Sequence, residues 1–205
     1  MRFVAVARIT MRHLLQSIQA QYGSGILGFF KYAYYSFLRI NTFVVFTCNG
    51  SDALHPLNFA PQLRIEPKAY ETLRYLKSTR ALPREFYCDQ LAGVEDYFLG
   101  FWEEQPAYIH WVFPAGSKSR FLGLGQGCAE VNYMLTLPEY RGKKICSQVL
   151  AYTLNELRSD GVQRVFCVVH DQNVASIKAV QRAGFHEHTR IKSFGPFNTR
   201  LQVTA

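Results

Sequence analysis

This 205-residue sequence lacks a cysteine pair, a long uninterrupted apolar run and any low-complexity block, and each absence removes a class of protein. Its five cysteines, Cys48, Cys88, Cys128, Cys146 and Cys167, are odd in number, widely spaced and never arranged as Cys-x-x-Cys. A disulfide framework and a zinc site are therefore not expected, which leaves reduced thiols, no metal and a cytoplasmic setting. At the N-terminus only the five uncharged residues 3–7 separate Arg2 from Arg8, too few for the apolar core of a secretory signal. The apolar stretch from Gly25 to Val45 is interrupted by Lys31 and Arg39 and falls short of the ~20 apolar residues that a spanning helix needs. Without repeats or biased segments, a chain that is 48% apolar and 19% charged should fold as one globular domain. Residues 1–60 read as an N-terminal helical and strand extension, and 61–205 as the domain proper.

The net charge is +8, distributed as +4 over residues 1–60, zero over 61–125 and +4 over 126–205. Such a surplus suits nucleic acid, an anionic membrane surface or a polyanionic small ligand. No motif with groove-reading side chains is present, so a nucleic-acid partner is not expected. Phe29, Phe30, Tyr32, Tyr34, Tyr35 and Phe37 make residues 25–45 an aromatic segment with three destinations: its own domain, a second copy in a homodimer, or a membrane surface.

Periodicity and turn residues predict helices over 9–39 broken near Gly23-Ser24-Gly25, a strand at 42–47, a helix over 67–78 and a short helix over 83–91. A hairpin follows at 96–102 and 107–113, then a glycine-rich basic loop over 116–127. The second half reads as strand 129–137, helix 145–158 ended by Gly161, strand 164–169, and helix 173–183 capped by Asn173 and closed by Gly184. Strands at 185–191 and 199–203 complete it. The order implies a βαβα unit fed by an antiparallel meander.

The stretch Leu137-Pro-Glu-Tyr-Arg-Gly-Lys-Lys-Ile-Cys-Ser147 carries a basic cluster across a strand-to-helix handover. A helix N-terminus offers amides without helical partners and the positive end of the macrodipole, so it attracts phosphate. Arg141, Lys143 and Lys144 add charge, and Ser147 adds a hydroxyl.

Strand, Pro-Glu-Tyr-Arg-Gly-Lys, helix, strand, Asp-Gln-Asn-Val-Ala-Ser, helix, Ala-Gly-Phe resembles the GNAT superfamily of acyl-CoA N-acyltransferases over about residues 63–203, most specifically 129–185. The resemblance implies an α/β (α+β) fold of GNAT type, a mixed, mostly antiparallel sheet flanked by helices, here with an N-terminal helical extension. It implies acetyl-CoA as acyl donor, with its pyrophosphate wrapped by Arg141, Gly142, Lys143, Lys144, Ile145, Cys146 and Ser147. Asn173 and Ser176 would stand by the pantetheine arm. Lys144 and Cys146 occupy positions where the family favours small residues, and Lys144 is expected to keep a negative φ. The backbone of Leu135, Thr136 and Leu137 is where the family splays its sheet and polarises the thioester, and Pro138 fits a loss of pairing there.

For the general base, Glu130 stands eleven residues before Arg141, a spacing seen in some family members, and His170 at the end of its strand is the alternative. His110 is a weaker third. The family's proton-donating tyrosine is replaced by Val180, which cannot donate; water or another side chain, such as Tyr133 or Tyr152, would have to supply the proton. The expected activity is transfer of an acetyl group to a primary amine of a small molecule, an amino sugar being preferred, by direct attack. The alternatives are a catalytically inactive GNAT-fold module that binds CoA or a partner, and a basic nucleic-acid or membrane-surface binder.

Overall fold

Period-two alternation marks the strands, and the computed structural model joins eight of them in one sheet. It describes residues 24–34, 40–52, 59–117 and 119–194, with the backbone course of 199–204. The strands are β1 (Ile40–Asn49), β2 (Leu63–Pro67), β3 (Tyr97–Trp102), β4 (Gln105–Phe113), β5 (Cys128–Thr136), β6 (Arg164–His170), β7 (His186–Phe194) and β8 (Thr199–Thr204). The helices are α1 (Gly25–Ala33), α2 (Tyr70–Thr79), α3 (Cys88–Ala92), α4 (Ile145–Ser159) and α5 (Val174–Arg182). Spatial order is β2-β3-β4-β5-β6-β1-β7-β8, antiparallel throughout except for β5 against β6. The mixed, mostly antiparallel sheet flanked by helices is the architecture expected from the sequence.

The place of β1 was not expected. It lies between β6 and β7, antiparallel to both, with Phe46 opposite Cys167 on one side and Glu187 on the other. Strands β6 and β7 are joined through α5 and run parallel to each other, and β1 fills the place between them antiparallel to both. Phe43 to Cys48 are all buried, as befits a central strand with both faces covered. Residues 40–49, assigned from the sequence to the extension before residue 61, lie within the core sheet. Helix α1 also departs from one expected destination. Gly28 is its one buried residue, while Ile26 and Leu27 are 76% and 78% exposed and Phe29 and Phe30 face solvent. Against the described residues it does not pack its apolar side. The helices expected before residue 24 lie outside the described residues. Among the described residues no helix is long and apolar enough to cross a membrane.

Alternation along β3 and β4 sorts side chains to two layers. Leu99, Phe101, Ile109, Trp111 and Phe113 join Leu73 and Leu76 of α2, whereas Phe98, Tyr108 and Val112 join Ile145, Val149, Leu150 and Leu154 of α4. The first turn of α4 sits close on the sheet because Gly100 of β3 has no side chain. A Cβ there would meet Tyr108 Cβ at 3.1 Å, Val149 Cγ2 at 3.2 Å and Ile145 Cγ2 at 3.4 Å. This contact fixes the height of the helix start above β5.

If β1 belongs to the core, Phe46→Ala should cost about 3–5 kcal/mol in denaturant unfolding, the usual penalty for emptying a buried phenylalanine site. A strand merely attached to an independent 61–205 domain would leave the main unfolding transition where it was.

Candidate active site

Pairing of β5 with β6 runs from Cys128 opposite Arg164 to Val131 opposite Cys167 and then stops, although both strands continue. The cause is on the other edge of β5. Register against β4 shifts between Ile109 and Trp111, so Tyr133 and Met134 both stand opposite His110. Tyr133 takes φ +51°, and the Asn132 side chain holds the bulge by accepting from the Tyr133 amide at 2.8 Å. A bulge bends its strand, and here it bends the end of β5 away from β6. The departure thus begins ahead of the Leu135–Leu137 position expected from the sequence. Pro138 does not cause it; that residue begins a 3-10 turn over Pro138–Tyr140.

Beyond the bulge β5 still pairs with β4, Leu137 donating to Ala107 O at 2.9 Å. In an antiparallel ladder alternate residues face opposite edges, so Thr136 points its amide and carbonyl into the gap. Its carbonyl there meets Arg141 Nε at 3.4 Å. Leu137 itself is buried on the α2 side, outside the gap.

The loop from Arg141 to Lys144 turns with Gly142 at φ +83° and Lys144 at φ +59°. The negative φ expected for Lys144 is thus corrected: a lysine holds the left-handed conformation that glycine would adopt without penalty. Gln148 is the first residue of α4 whose amide closes on a helical carbonyl, Lys144 O at 3.2 Å. The amides of Ile145, Cys146 and Ser147 therefore have no helical acceptor. The Ser147 hydroxyl donates to Lys144 O at 2.9 Å, so its proton braces the loop. Lys143 lies over the Trp102 and Tyr140 rings, at 4.7 and 5.5 Å, and points out of the cleft. Gln148 braces the loop further: its Nε2 donates to Lys144 O at 3.2 Å, while its Oε1 accepts from the Ala60 amide at 2.7 Å.

A cleft of about 580 Å³ runs along this loop and into the gap. Of the residues singled out from the sequence, β5 contributes Leu135 and Thr136, and the loop contributes Arg141, Gly142 and Lys144. The helices add Ile145, Cys146 and Ser147 from α4, with Asn173 and Ser176 from α5. Asn173 Oδ1 caps α5 by accepting from Ser176 N at 3.2 Å. Lys178 and Arg182 also line the cleft and were missed. The signal was present, since Lys178 and Arg182 share one helical face with the small residues Ala175 and Ala179. Unpartnered amides, a left-handed cradle and four cations together fit a diphosphate.

The two expected bases do not open onto this cleft. Glu130 is 0% exposed, with Oε1 accepting from Asn132 Nδ2 at 2.9 Å, and burial pushes its carboxyl above the usual range. His170 lies on the β1 side, its Nδ1 accepting from the Gln172 amide at 3.1 Å and its Nε2 facing Asn41 Oδ1 at 3.2 Å. His110 is a core residue whose pKa burial pushes down to about 3. The structure instead brings in Tyr108, which the sequence reading did not single out. Its hydroxyl lies 3.1 Å from His110 Nδ1 and 3.5 Å from Cys146 Sγ, and it lines the cleft. On the far side of the ring, His110 Nε2 meets Thr153 Oγ1 at 3.1 Å, and that hydroxyl donates to Val149 O at 2.9 Å. Thr153 therefore accepts from Nε2–H, leaving Nδ1 to accept from Tyr108. Tyr133 and Tyr152 do not line the cleft, and Val180 is buried in the core.

A cradle of open amides beside a splayed pair of parallel strands is the arrangement expected of a GNAT-type fold. The profile of the Acetyltransferase (GNAT) family matches residues 61–185, and the chain belongs to that family. No curated protein matches it. Among solved structures it is similar to a GNAT acetyltransferase from Colwellia psychrerythraea (16% identity, TM-score 0.53), covering 81% of this chain and 60% of that one. A GNAT-family protein from Novosphingobium aromaticivorans is similar at 11% identity and TM-score 0.52, covering 76% of this chain and 63% of that one. The glucosamine N-acetyltransferase region of a fungal multi-domain beta-N-acetylglucosaminidase reaches TM-score 0.57 at 12% identity, covering 75% of this chain and 21% of that one. The chain thus spans less than two thirds of each of these neighbours.

Two outcomes are expected. Lys144→Gly should raise stability to unfolding by about 1 kcal/mol, by relieving a left-handed non-glycine residue. His110 is neutral in the folded protein down to about pH 3, while an unfolded histidine takes a proton near 6.5. Between these values the unfolded chain binds more protons, so stability is full above pH 6.5 and falls on acidification by up to about 1.4 kcal/mol per unit. Unfolding of wild type and His110→Gln at pH 7, 6 and 5 isolates this slope, which the variant should lack.

Proposed function

We propose that the protein is an acetyl-CoA-dependent N-acetyltransferase that acylates a primary amine of a small molecule by direct attack. The carrying observation is the cradle of free amides at the start of α4, opening onto the gap between β5 and β6. Bound there, acetyl-CoA would supply the activated acyl group. Arg141, Lys144, Lys178 and Arg182 would hold its phosphates, and the Thr136 backbone would offer an amide to the acyl end. Asn173 and Ser176 would flank the arm between them.

Direct attack is favoured over an acyl-enzyme because Cys146, the thiol in the cleft wall, is pushed up to about 11 by burial and stays protonated. Tyr108 takes the part that Val180 cannot, giving a proton to the departing sulfur. Burial keeps it protonated across the working range; it lines the cleft wall beside Cys146, and its hydroxyl would release its hydrogen bond to His110 Nδ1 to reach the sulfur. A cleft with a single carboxylate among its described residues suits one ammonium, such as that of an amino sugar, better than a run of lysines.

Calorimetric titration with acetyl-CoA should show binding that Arg141→Ala weakens at least several-fold. No heat and no thermal shift at millimolar ligand would refute the reading. Tyr108→Phe should retain CoA affinity and lose on the order of 100-fold in transfer. Binding without transfer to any of a panel of amines would make the protein a CoA-binding module of the same fold.

A further inference from the structure

The cleft is electrically polar. Arg141, Lys144, Lys178 and Arg182 stand along its loop and α5 side, and Glu85 is the one acidic side chain among the described residues that line it. Glu85 comes from the other face of the sheet, on the 3-10 turn Arg84–Tyr87 that joins α2 to α3. Its neighbour Phe86 is fully buried with Ile109 and Trp111 in the α2-side cluster, whereas α4 and its cradle cover the opposite face. The cleft is therefore lined from both faces of the sheet where β5 leaves β6, by cations from the α4–α5 side and by a carboxylate from the α2–α3 side.

Glu85 is held in place by backbone contacts. Trp111 Nε1 donates to Glu85 O at 2.6 Å, and the Phe86 amide closes the turn on Pro83 O at 3.0 Å. The side chain itself is half-buried and carries no ion pair among the described residues. Glu130, by contrast, is fully buried within the sheet. A donor lying in the cradle fills the cationic mouth, so the acceptor must enter from the Glu85 side.

We propose that Glu85 binds the acceptor as an ammonium and is the general base that deprotonates it; this rests on the acetyltransferase reading. A primary amine is almost wholly protonated at neutral pH and cannot attack. Glu85 pairs with the ammonium, takes one proton and leaves a neutral amine at the gap. The nitrogen lone pair forms the N–C bond, the C–S bond breaks with its electrons going to sulfur, and the second nitrogen proton is matched by the one that sulfur receives. The products are an amide, a free thiol and a proton released from Glu85 to solvent. The substrate class is a small cationic primary amine, and an uncharged nucleophile has no use for this carboxylate.

The test compares alkylamines and glucosamine, which are cationic at neutral pH, with hydroxylamine, which is largely uncharged there. In Glu85→Gln, kcat/KM for the cationic acceptors should fall on the order of 100-fold while hydroxylamine acetylation changes less than about threefold. Glu85→Asp should recover part of the loss. Calorimetric binding of glucosamine to the CoA-saturated protein should weaken at least about tenfold in Glu85→Gln. Equal losses for charged and uncharged acceptors, or none, overturn the proposal, as does a wild type that binds acetyl-CoA but neither binds nor acetylates any of these amines. Failure of the wild type to bind acetyl-CoA would overturn the acetyltransferase reading itself.

Discussion

The bulge at Tyr133-Met134 is the constraint on which the site depends. Two residues set against one shorten the reach of β5 along β4, and the strand leaves β6 after Val131. A continuous parallel ladder would satisfy the Thr136 amide within the sheet and close the passage between its faces. By giving up backbone pairing here, the fold gains both an unpaired amide and a gap between the strands. Asn132 holds the strained conformation with one oxygen, and its amide nitrogen also ties down Glu130. That accounts for a buried glutamate at this place without giving it a role in proton transfer.

The cradle is set against this gap by packing. Gly100 lets α4 descend until Ile145 and Val149 touch β3, and the Tyr108–His110–Thr153 chain of hydrogen bonds ties β4 to the same helix. The helix start, with its three open amides, is therefore fixed relative to the end of β5 by both apolar and polar contacts. Lys144 puts strain into the turn that a glycine would not. Its left-handed backbone leaves the phosphate-binding geometry intact, while its ammonium adds to the field at the cationic mouth.

The mouths of the cleft differ because they belong to different layers of the protein. Cations come from the loop and α5 on one face, and the carboxylate comes from the α2–α3 connection on the other. The two ends of the cleft thus suit ligand groups of opposite charge. Strand β1 stabilises this arrangement from the side, because it holds β6 and β7 together while β5 swings away.

Chain-local signals were enough to define the elements of the second half and the anion loop. Periodicity, the Asn173 cap and the glycines at 161 and 184 set those helices and strands nearly to the residue, and Arg141-Gly142 before an amphipathic helix marked the phosphate site. Each of these depends on neighbours a few positions apart. Other features follow from contacts between distant segments. A strand at 40–49 fills the sheet between β6 and β7, Glu130 and His170 end outside the cleft, and Tyr108 and Glu85 face it from β4 and the 3-10 turn. A side chain's face follows from register, and a one-residue bulge changes register for everything beyond it. No spacing along the chain reports where that bulge falls, so the loop was legible in the amino-acid order, while the placing of Tyr108 and Glu85 at the cleft emerged only once the strands were paired.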